Sequence, residues 1–233
     1  MRFRPLAFFL TLLIPSLRGA APVAEPAELL YRADFSKPLS EAWVVEQQPG
    51  GTVTTENGTL LIDDQAGCTV WLKQPFEAPV IIKFKAEIES AGRVSDLNCF
   101  WMATDPANLP DLFHADHTRD GRFFTYDPLQ LYYVGYGGNE NSTTRFRRYA
   151  GTGARPLDPA HDLSAPEFML RGDHVYEVTL IAAAGRAQYW RDGELIFDFA
   201  DPKPLTRGWF GFRTVKSRYR VHSLEVWSAQ PAQ

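Results

Sequence analysis

The segment from Pro79 to Glu89, PVIIKFKAEIE, alternates between apolar and polar positions. The even-numbered positions from 80 to 88 are all apolar, whereas positions 83, 85, 87 and 89 carry lysine or glutamate. Because successive side chains of a strand point to opposite faces, this pattern predicts an antiparallel strand with one buried face. No later segment keeps the three-to-four-residue apolar period of an amphipathic helix.

Two dipeptides mark tight turns between further strands. Asn57-Gly58 separates TVTTE from TLLIDD, and Asp192-Gly193 separates RAQYWR from ELIFDF. Both dipeptides readily adopt the positive backbone angles of a two-residue hairpin turn. With the strand after Pro79, the chain has about eleven predicted strands, the others being LNCFWMA, QLYYVGY, TTRFRRY, VYEVTLIA, GWFGFRTV and YRVHSLEVW.

No helices are predicted between these strands, so parallel pairing through crossover helices is excluded. The predicted fold class is therefore all-β, a two-sheet antiparallel sandwich or jelly roll. Repeats and linker-like tracts are absent from the sequence, and we expect one domain over residues 25–233.

The first 24 residues have the pattern of a secretory signal peptide. Arg2 and Arg4 precede an apolar run from Leu6 to Leu13, and small residues follow around Gly19. A retained membrane anchor is the weaker alternative, because the run is much shorter than the roughly 20 residues that span a bilayer. We therefore expect a secreted or periplasmic protein that is not membrane-bound once the signal is removed, with cleavage near Ala20, Ala21 or Ala24.

Composition narrows the choice of partner. The chain is 45% hydrophobic and has a formal net charge of -4, so it has the apolar content for a core and no overall positive field. Nucleic-acid binding is not expected, because that binding depends on positive charge. An exported chain permits a disulfide between Cys68 and Cys99, and two buried free thiols are the equal alternative.

The C-terminal third resembles a known superfamily. YEVTLIAAAGRAQYWRDGELIFDF followed by PLTRGWFGFRTVKSRYRVHSLEVW is similar to the end of concanavalin A-like lectin and glucanase domains. LNCFWMATDP and QLYYVGYGGNENSTTRFRRY resemble secreted bacterial jelly-roll families of unknown function, which are often encoded beside enzymes that degrade polysaccharides, including rhamnogalacturonan. The resemblance spans about 29–227 and implies a carbohydrate-related role. Glucanases of the superfamily carry paired glutamates on one strand, and no such run occurs here, which removes the main support for retaining hydrolysis.

The stretch QLYYVGYGGNENSTTRFRRY is the main candidate for a functional surface. As a strand, turn and returning strand, it places Tyr133 on one face of the first strand, and Arg145 and Arg147 together on one face of the second. Adjacent guanidinium groups favour an anion, and a uronate carboxylate is one candidate. The alternative is that the arginines pair with internal acids and the tyrosines are buried.

His114 and His117 lie in the segment DLFHADHTRDG with three aspartates. A His-x-x-His pair beside carboxylates can ligate a metal, but no third histidine or Cys-x-x-Cys supports such a site. The other interpretations are a catalytic histidine and a solvated loop without a ligand. We assign no metal ligand and no cofactor, which leaves room for a divalent cation.

Together these residues suggest polysaccharide cleavage by β-elimination. Arg145 or Arg147 would neutralise the uronate carboxylate, His114 or His117 would remove the C5 proton, and Tyr133 or Tyr132 would protonate the leaving oxygen. The alternatives are a carbohydrate-binding module without chemistry and a structural protein of the cell envelope. The expected partner of a monomeric protein is an acidic plant or algal polysaccharide or its oligosaccharides. Further predicted substrate-binding residues are Asn98, Trp101, Tyr132, Tyr136, Tyr149 and Arg213.

Overall fold

A computed structural model describes residues 21–232 and contains two antiparallel sheets packed face to face. The predicted fold class, an all-β two-sheet sandwich, is confirmed. Residues 21–232 form fifteen strands, which are β1 (Ala24–Arg32), β2 (Trp43–Gln47), β3 (Thr52–Glu56), β4 (Thr59–Asp63), β5 (Cys68–Glu77), β6 (Val80–Ile88), β7 (Leu97–Thr104), β8 (Gln130–Gly137), β9 (Thr143–Ala150), β10 (Asp162–Leu163), β11 (Tyr176–Ala183), β12 (Arg186–Arg191), β13 (Glu194–Ala200), β14 (Arg207–Thr214) and β15 (Arg218–Pro231).

The eight-stranded sheet, here called the back sheet, has the order β13-β12-β11-β6-β15-β4-β3, and β1 also pairs with β15. The seven-stranded front sheet has the order β10-β9-β8-β7-β14-β5-β2. All eleven predicted strands are present, and the four that were not predicted are β1, β2, β5 and β10.

The helical content of the described residues is small. It consists of the single turn α1 (Gly138–Asn141) and three short 3₁₀ turns at Phe123–Tyr126, Pro159–His161 and Pro166–Phe168. No helix between residues 21 and 232 has the length and apolar character needed to cross a membrane. Residues 1–20, which contain most of the predicted signal peptide, lie outside the described part of the chain.

The core lies between the two sheets. The even-numbered residues of β6 from Val80 to Ile88 are buried there, as the alternation of apolar and polar residues predicts. Cys68 and Cys99 are also in this core as free thiols, so the structure agrees with buried thiols rather than a disulfide. Burial raises the pKa of both thiols, which keeps them protonated and unreactive.

The outer face of the front sheet carries a second apolar cluster. The loop from 105 to 129 folds over this face and contributes Leu112, Tyr126 and Leu129 to the cluster. Trp71 of β5 stacks on Phe100 of β7 beneath the loop, with ring centroids 5.5 Å apart. The loop covers part of the sheet face and leaves the rest open to solvent as a cleft.

Both predicted hairpin turns have left-handed backbone angles. Asn57 and Gly58 have φ of 51° and 75°, and Asp192 and Gly193 have φ of 51° and 79°. A third turn of this kind joins β11 to β12 through Ala184 and Gly185, with φ of 50° and 70°. Alanine has no side-chain hydrogen bond to stabilise this conformation, so the sequence carries no turn signal at the first position.

Replacing Ala184 by asparagine should therefore stabilise the protein. Asparagine tolerates the left-handed conformation better than alanine, and the expected gain is about 0.5–1 kcal/mol in the free energy of unfolding. Ala184→Val should act in the opposite direction, because a β-branched residue at positive φ is strained. Urea unfolding of the three proteins measures both effects, and equal midpoints for Ala184→Asn and Ala184→Val would contradict the argument.

Candidate functional site

A cleft of about 360 Å³ lies on the outer face of the front sheet, beside the connection from β8 to β9. The cleft has residues of opposite charge together with aromatic and polar groups. Its lining comprises Arg93, Asp96, Asn98, Phe123, Tyr133, Gly135, Gly138, Asn139, Glu140, Thr143, Arg145, Arg147, Arg155 and Val215.

Strand pairing brings the central residues of the cleft together. Tyr133 lies opposite Arg147 in the antiparallel pair β8–β9, and Gly135 lies opposite Arg145. Asn98 of β7 pairs with Gly135 from the other side. The sheet register therefore brings Tyr133, Arg145 and Arg147 to one face, and Asn98 joins them.

Gly135 is needed because the hydroxyl of Tyr133 occupies the space above it. A Cβ atom on Gly135 would lie 2.4 Å from the Tyr133 hydroxyl oxygen, closer than such atoms approach. The absence of a side chain at this position therefore lets the phenol extend along the sheet into the cleft.

Three of the four cleft arginines are paired with carboxylates. Arg145 donates from Nε and Nη2 to the two oxygens of Asp162, at 2.7 and 3.0 Å. The Nε atom of Arg155 lies 2.7 Å from Asp127 Oδ1. Nη2 of Arg93 donates to Asp96 Oδ2 at 2.5 Å. The charges of these three side chains are neutralised by carboxylates of the protein. For Arg145 the structure therefore agrees with the alternative given above, in which the arginine pairs with an internal acid.

Arg147 is different. Its Nη1 donates to the backbone carbonyls of Arg155 at 2.8 Å and Pro156 at 3.1 Å. Among residues 21–232 it has no carboxylate within ion-pairing distance, and its Nε and Nη2 have no protein acceptor and are not sealed from solvent. The cleft therefore presents one free guanidinium edge, and the Tyr133 side chain lines the same cleft.

The Tyr133 phenol stays protonated at neutral pH. Burial raises the pKa of Tyr133, and the nearby Asp96 carboxylate and Tyr149 raise it further. The side chain is only 7% exposed, with its hydroxyl at the cleft. In this state it donates a hydrogen bond and does not act as a base.

The rim of the cleft is formed by α1, which has an unusual backbone. Asn139, Glu140 and Asn141 have φ of 51°, 59° and 60°, so three consecutive residues other than glycine are left-handed. Each such residue costs of order 1–3 kcal/mol in isolation. The side-chain amide of Asn141 offsets part of this cost by donating to the Leu170 carbonyl at 2.9 Å and accepting from the Leu170 amide at 2.8 Å.

His114 and His117 do not line the cleft. His114 Nε2 lies 3.1 Å from Asp105 Oδ2, and His117 Nδ1 lies 3.9 Å from the buried carboxylate of Glu46. Burial lowers the pKa of His117, as does the adjacent Arg119 guanidinium. His114 belongs to a polar network with Asp105, Arg119 and Glu46 that holds the loop from 105 to 129 on the sheet, and His117 lies beside this network outside the cleft.

That network has the composition of a metal site but not its geometry. Between residues 21 and 232, no three His, Cys, Asp or Glu side chains are arranged to hold a metal ion. Glu46 instead accepts hydrogen bonds from Trp71 Nε1 at 2.8 Å and Arg119 Nε at 3.1 Å.

Three predicted substrate-binding residues point into the core between the sheets. Trp101, Tyr132 and Tyr136 are each 0–1% exposed and lie on the side of the front sheet opposite the cleft. The Tyr132 hydroxyl donates to Asp201 Oδ2 at 2.7 Å, inside the protein. None of the three lines the front-sheet cleft, so we leave them out of the proposed site and interpret them as packing residues.

Tyr149 and Arg213 face the same side as the cleft but lie beneath its surface. Each is 1% exposed, and neither lines the cleft. Arg213 donates from Nη1 to Gly121 O at 2.7 Å, and its guanidinium lies 5.1 Å from the ring centroid of Phe123. Burial raises the pKa of Tyr149 to about 12. Both residues support the cleft from below.

Several cleft residues were not predicted from the sequence. Arg93, Phe123 and Arg155 come from loops whose contacts with the sheet carry no local pattern. Asp96 and Glu140 have positive φ angles of 62° and 59°, which also cannot be inferred from their residue types. Glu140 lies within the glycine- and asparagine-rich turn GGNEN, the one local signal for an irregular rim.

Comparisons with solved structures agree with this architecture. The chain resembles a Bacillus subtilis protein of unknown function with a galectin-like fold, at 22% identity and a TM-score of 0.69 over 90% of this chain and 100% of that one. It also resembles the carbohydrate-binding module CBM66 from Bacillus subtilis (12% identity, TM-score 0.56, 80% and 96% covered). A third similar structure is an endo-β-1,3-glucanase from Pyrococcus furiosus (10% identity, TM-score 0.58, 91% and 100% covered). At these identities the similarity shows the fold alone, a galectin-like or concanavalin A-like sandwich.

The sequence comparisons add a family but no activity. No curated protein matches the chain. The profile of DUF6250, described as a domain of unknown function, matches residues 62–224. Because this match covers more than half of the chain, the protein belongs to the DUF6250 family.

Proposed function

We propose that the protein binds an acidic saccharide in the cleft on the front sheet and does not cleave it. The observation that carries this proposal is the free guanidinium edge of Arg147 in the same cleft as the protonated hydroxyl of Tyr133. A guanidinium recognises a carboxylate through paired hydrogen bonds, and a phenol donates to a sugar oxygen. Gly135 leaves the space that the Tyr133 phenol occupies as it extends into the cleft.

The structural neighbours support a saccharide as the ligand class. Two of them are named as a carbohydrate-binding module and an endo-β-1,3-glucanase, and both have the sandwich architecture of this chain. This support is an analogy of fold, and the acidic character of the ligand rests on the cleft of this protein.

The predicted elimination reaction lacks its histidine base in the cleft. His114, assigned to that role, is paired with Asp105 outside the cleft, and the Nδ1 atom of His117 lies 3.9 Å from Glu46, also outside it. The carboxylate of Asp96 is engaged by Arg93, Ser95 and Asn98, so it is poorly placed to accept a proton. Binding without cleavage is therefore the function that the geometry supports best.

The location and the polymer are part of the same proposal. An exported protein, as residues 1–24 predict, would meet polysaccharide outside the cytoplasm. Plant or algal polymers with uronate residues, including rhamnogalacturonan, are the proposed ligands of a protein that acts as a monomer.

Affinity electrophoresis against uronate-containing and neutral polysaccharides tests the proposal. We expect the protein to be retarded by the acidic polymers, and Arg147→Ala to weaken that binding at least about tenfold, because a hydrogen bond to a charged group is lost. Arg32→Ala is the matched control, since Arg32 is an exposed, ion-paired arginine of β1.

The same samples distinguish binding from chemistry. New ultraviolet absorbance from unsaturated products would establish elimination, and new reducing ends without that absorbance would establish hydrolysis. Either result would replace the binding proposal with an enzymatic one. Absence of retardation by every polymer would contradict saccharide binding itself.

A further inference from the structure

One cation of the cleft has no carboxylate partner within residues 21–232 of the protein. Arg93, Arg145 and Arg155 are each paired with an aspartate of the protein. Among the described residues that line the cleft, Arg147 is the guanidinium without a carboxylate partner. The site therefore has one unmatched cation and not a field of four.

The free edge of Arg147 is defined by the hydrogen bonds of its other edge. Both acceptors of Nη1 are backbone carbonyls, those of Arg155 and Pro156. Nε and Nη2 remain available, and these two atoms lie on one side of the planar guanidinium. Arg145 shows how this edge binds a carboxylate, because its own Nε and Nη2 hold the two oxygens of Asp162 at 2.7 and 3.0 Å.

The Glu140 carboxylate disfavours binding of a ligand that carries a second acidic group. Its side chain is exposed on the rim of the same cleft and has no cation within ion-pairing distance among residues 21–232. A second carboxylate in the cleft would meet this negative charge and would have no free guanidinium. The cleft volume of about 360 Å³ is also at the small end of the roughly 300–1,000 Å³ typical of ligand sites, so it fits a short saccharide segment.

Resting on the proposed function, we propose that the cleft takes a single sugar carboxylate, held by two parallel hydrogen bonds from Nε and Nη2 of Arg147. The preferred ligand is consequently a saccharide in which a uronate is followed by a neutral sugar, and not a run of adjacent uronates. A planar carboxylate matches the guanidinium edge, whereas a methyl ester of the same uronate retains the shape and loses the charge.

Isothermal titration calorimetry with four disaccharides tests this inference. The probes are a uronate linked to a neutral sugar, its methyl ester, the corresponding neutral disaccharide, and the matching diuronate. We expect the single uronate to bind best, the ester and the neutral sugar to bind at least about tenfold more weakly, and the diuronate to bind no more tightly than the single uronate.

Two variants assign the effect to named atoms. Arg147→Lys retains the positive charge but removes the fork, and we expect it to weaken binding of the single uronate roughly tenfold or more, while Arg32→Lys leaves it unchanged. Glu140→Gln should improve the diuronate about twofold to fivefold relative to the single uronate, because an exposed like charge is removed.

The outcomes separate this inference from the proposed function. If none of the four disaccharides and none of the polysaccharides binds, both fail. If the ester and the neutral sugar bind as well as the uronate, saccharide binding stands and the single-carboxylate inference is wrong. It is also wrong if the diuronate binds several-fold more tightly than the single uronate, or if Arg147→Lys binds like the unaltered protein.

Discussion

Replacing Glu46 by leucine is expected to reduce the free energy of unfolding by about 3–5 kcal/mol. Glu46 is 4% exposed, and its carboxylate is the acceptor for both Trp71 Nε1 and Arg119 Nε. The Arg119 side chain is itself 3% exposed, and its other acidic neighbour, Asp105, lies 3.5 Å away. Removal of Glu46 leaves a buried guanidinium and an indole N–H without their main acceptor, which is the costly case for a buried ion pair.

Urea unfolding measures this effect, and a double replacement separates the lost pair from the lost packing. Glu46→Leu combined with Arg119→Leu should recover a large part of the stability, because no uncompensated charge then stays buried. Glu41→Leu is the matched control at an exposed position, with an expected change within about 0.5 kcal/mol. A cost below about 1 kcal/mol for Glu46→Leu would show that the pair does not hold the loop.

Replacing Gly208 by alanine should cost about 3 kcal/mol, the upper end of the range for overpacking. A Cβ atom on Gly208 would lie 2.2 Å from the carbonyl carbon of Met102 and 2.6 Å from the amide nitrogen of Ala103. Both atoms belong to the backbone of β7, at the point where the pairing of β14 with β7 shifts register. A backbone cannot move aside as the end of a flexible side chain can, so the strands must separate.

Gly193→Ala is the control for this replacement. Gly193 has φ of 79°, and a Cβ atom there would have no neighbouring atom within 4 Å, so alanine adds backbone strain of about 1 kcal/mol without a clash. Thermal or urea unfolding gives the loss of stability of each variant. Gly193→Ala reports the cost of backbone strain alone, and Gly208→Ala reports the cost of steric overlap. Equal destabilisation at both positions would contradict the close approach of β14 and β7.

A strand with one polar face, such as β6, could be predicted directly from its pattern. The alternation in β6 and the Asn57-Gly58 and Asp192-Gly193 turns are local signals, and the structure follows them. The sequence CTVWLK of β5 does not alternate, because the loop from 105 to 129 covers its outer face while the core covers the other. Strands buried on both faces lose the period-two pattern, and β10, with two residues, is too short to show one.

The site could be predicted in part for the same reason. Period-two geometry is enough to group Arg145 with Arg147 and to separate Tyr133 from Tyr132, but the strand register is needed to place Tyr133 on the face of the arginines. Period-two geometry cannot identify which side faces the core when both sides are aromatic. The position of His117 involves a contact with Glu46 of β2, which lies 71 positions earlier in the chain. The local sequence around a residue does not predict such a long-range contact.

The pairing of Arg145 with Asp162 is a further long-range feature. Asp162 belongs to the two-residue strand β10, which pairs with β9 in a register that sets Asp162 opposite Arg145. Without this strand, both arginines of TTRFRRY that face the cleft would appear equally free. The structure distinguishes them, and only that distinction separates a site for one carboxylate from a broad basic surface.

The left-handed run at Asn139, Glu140 and Asn141 has a consequence for how a ligand is captured. Its conformational cost is met during folding, and the amide of Asn141 fixes it to the backbone of Leu170. The rim of the cleft is consequently ordered before a ligand binds. Little binding free energy is then spent on immobilising the rim. Capture should then be limited by diffusion and orientation, without a slow closing step.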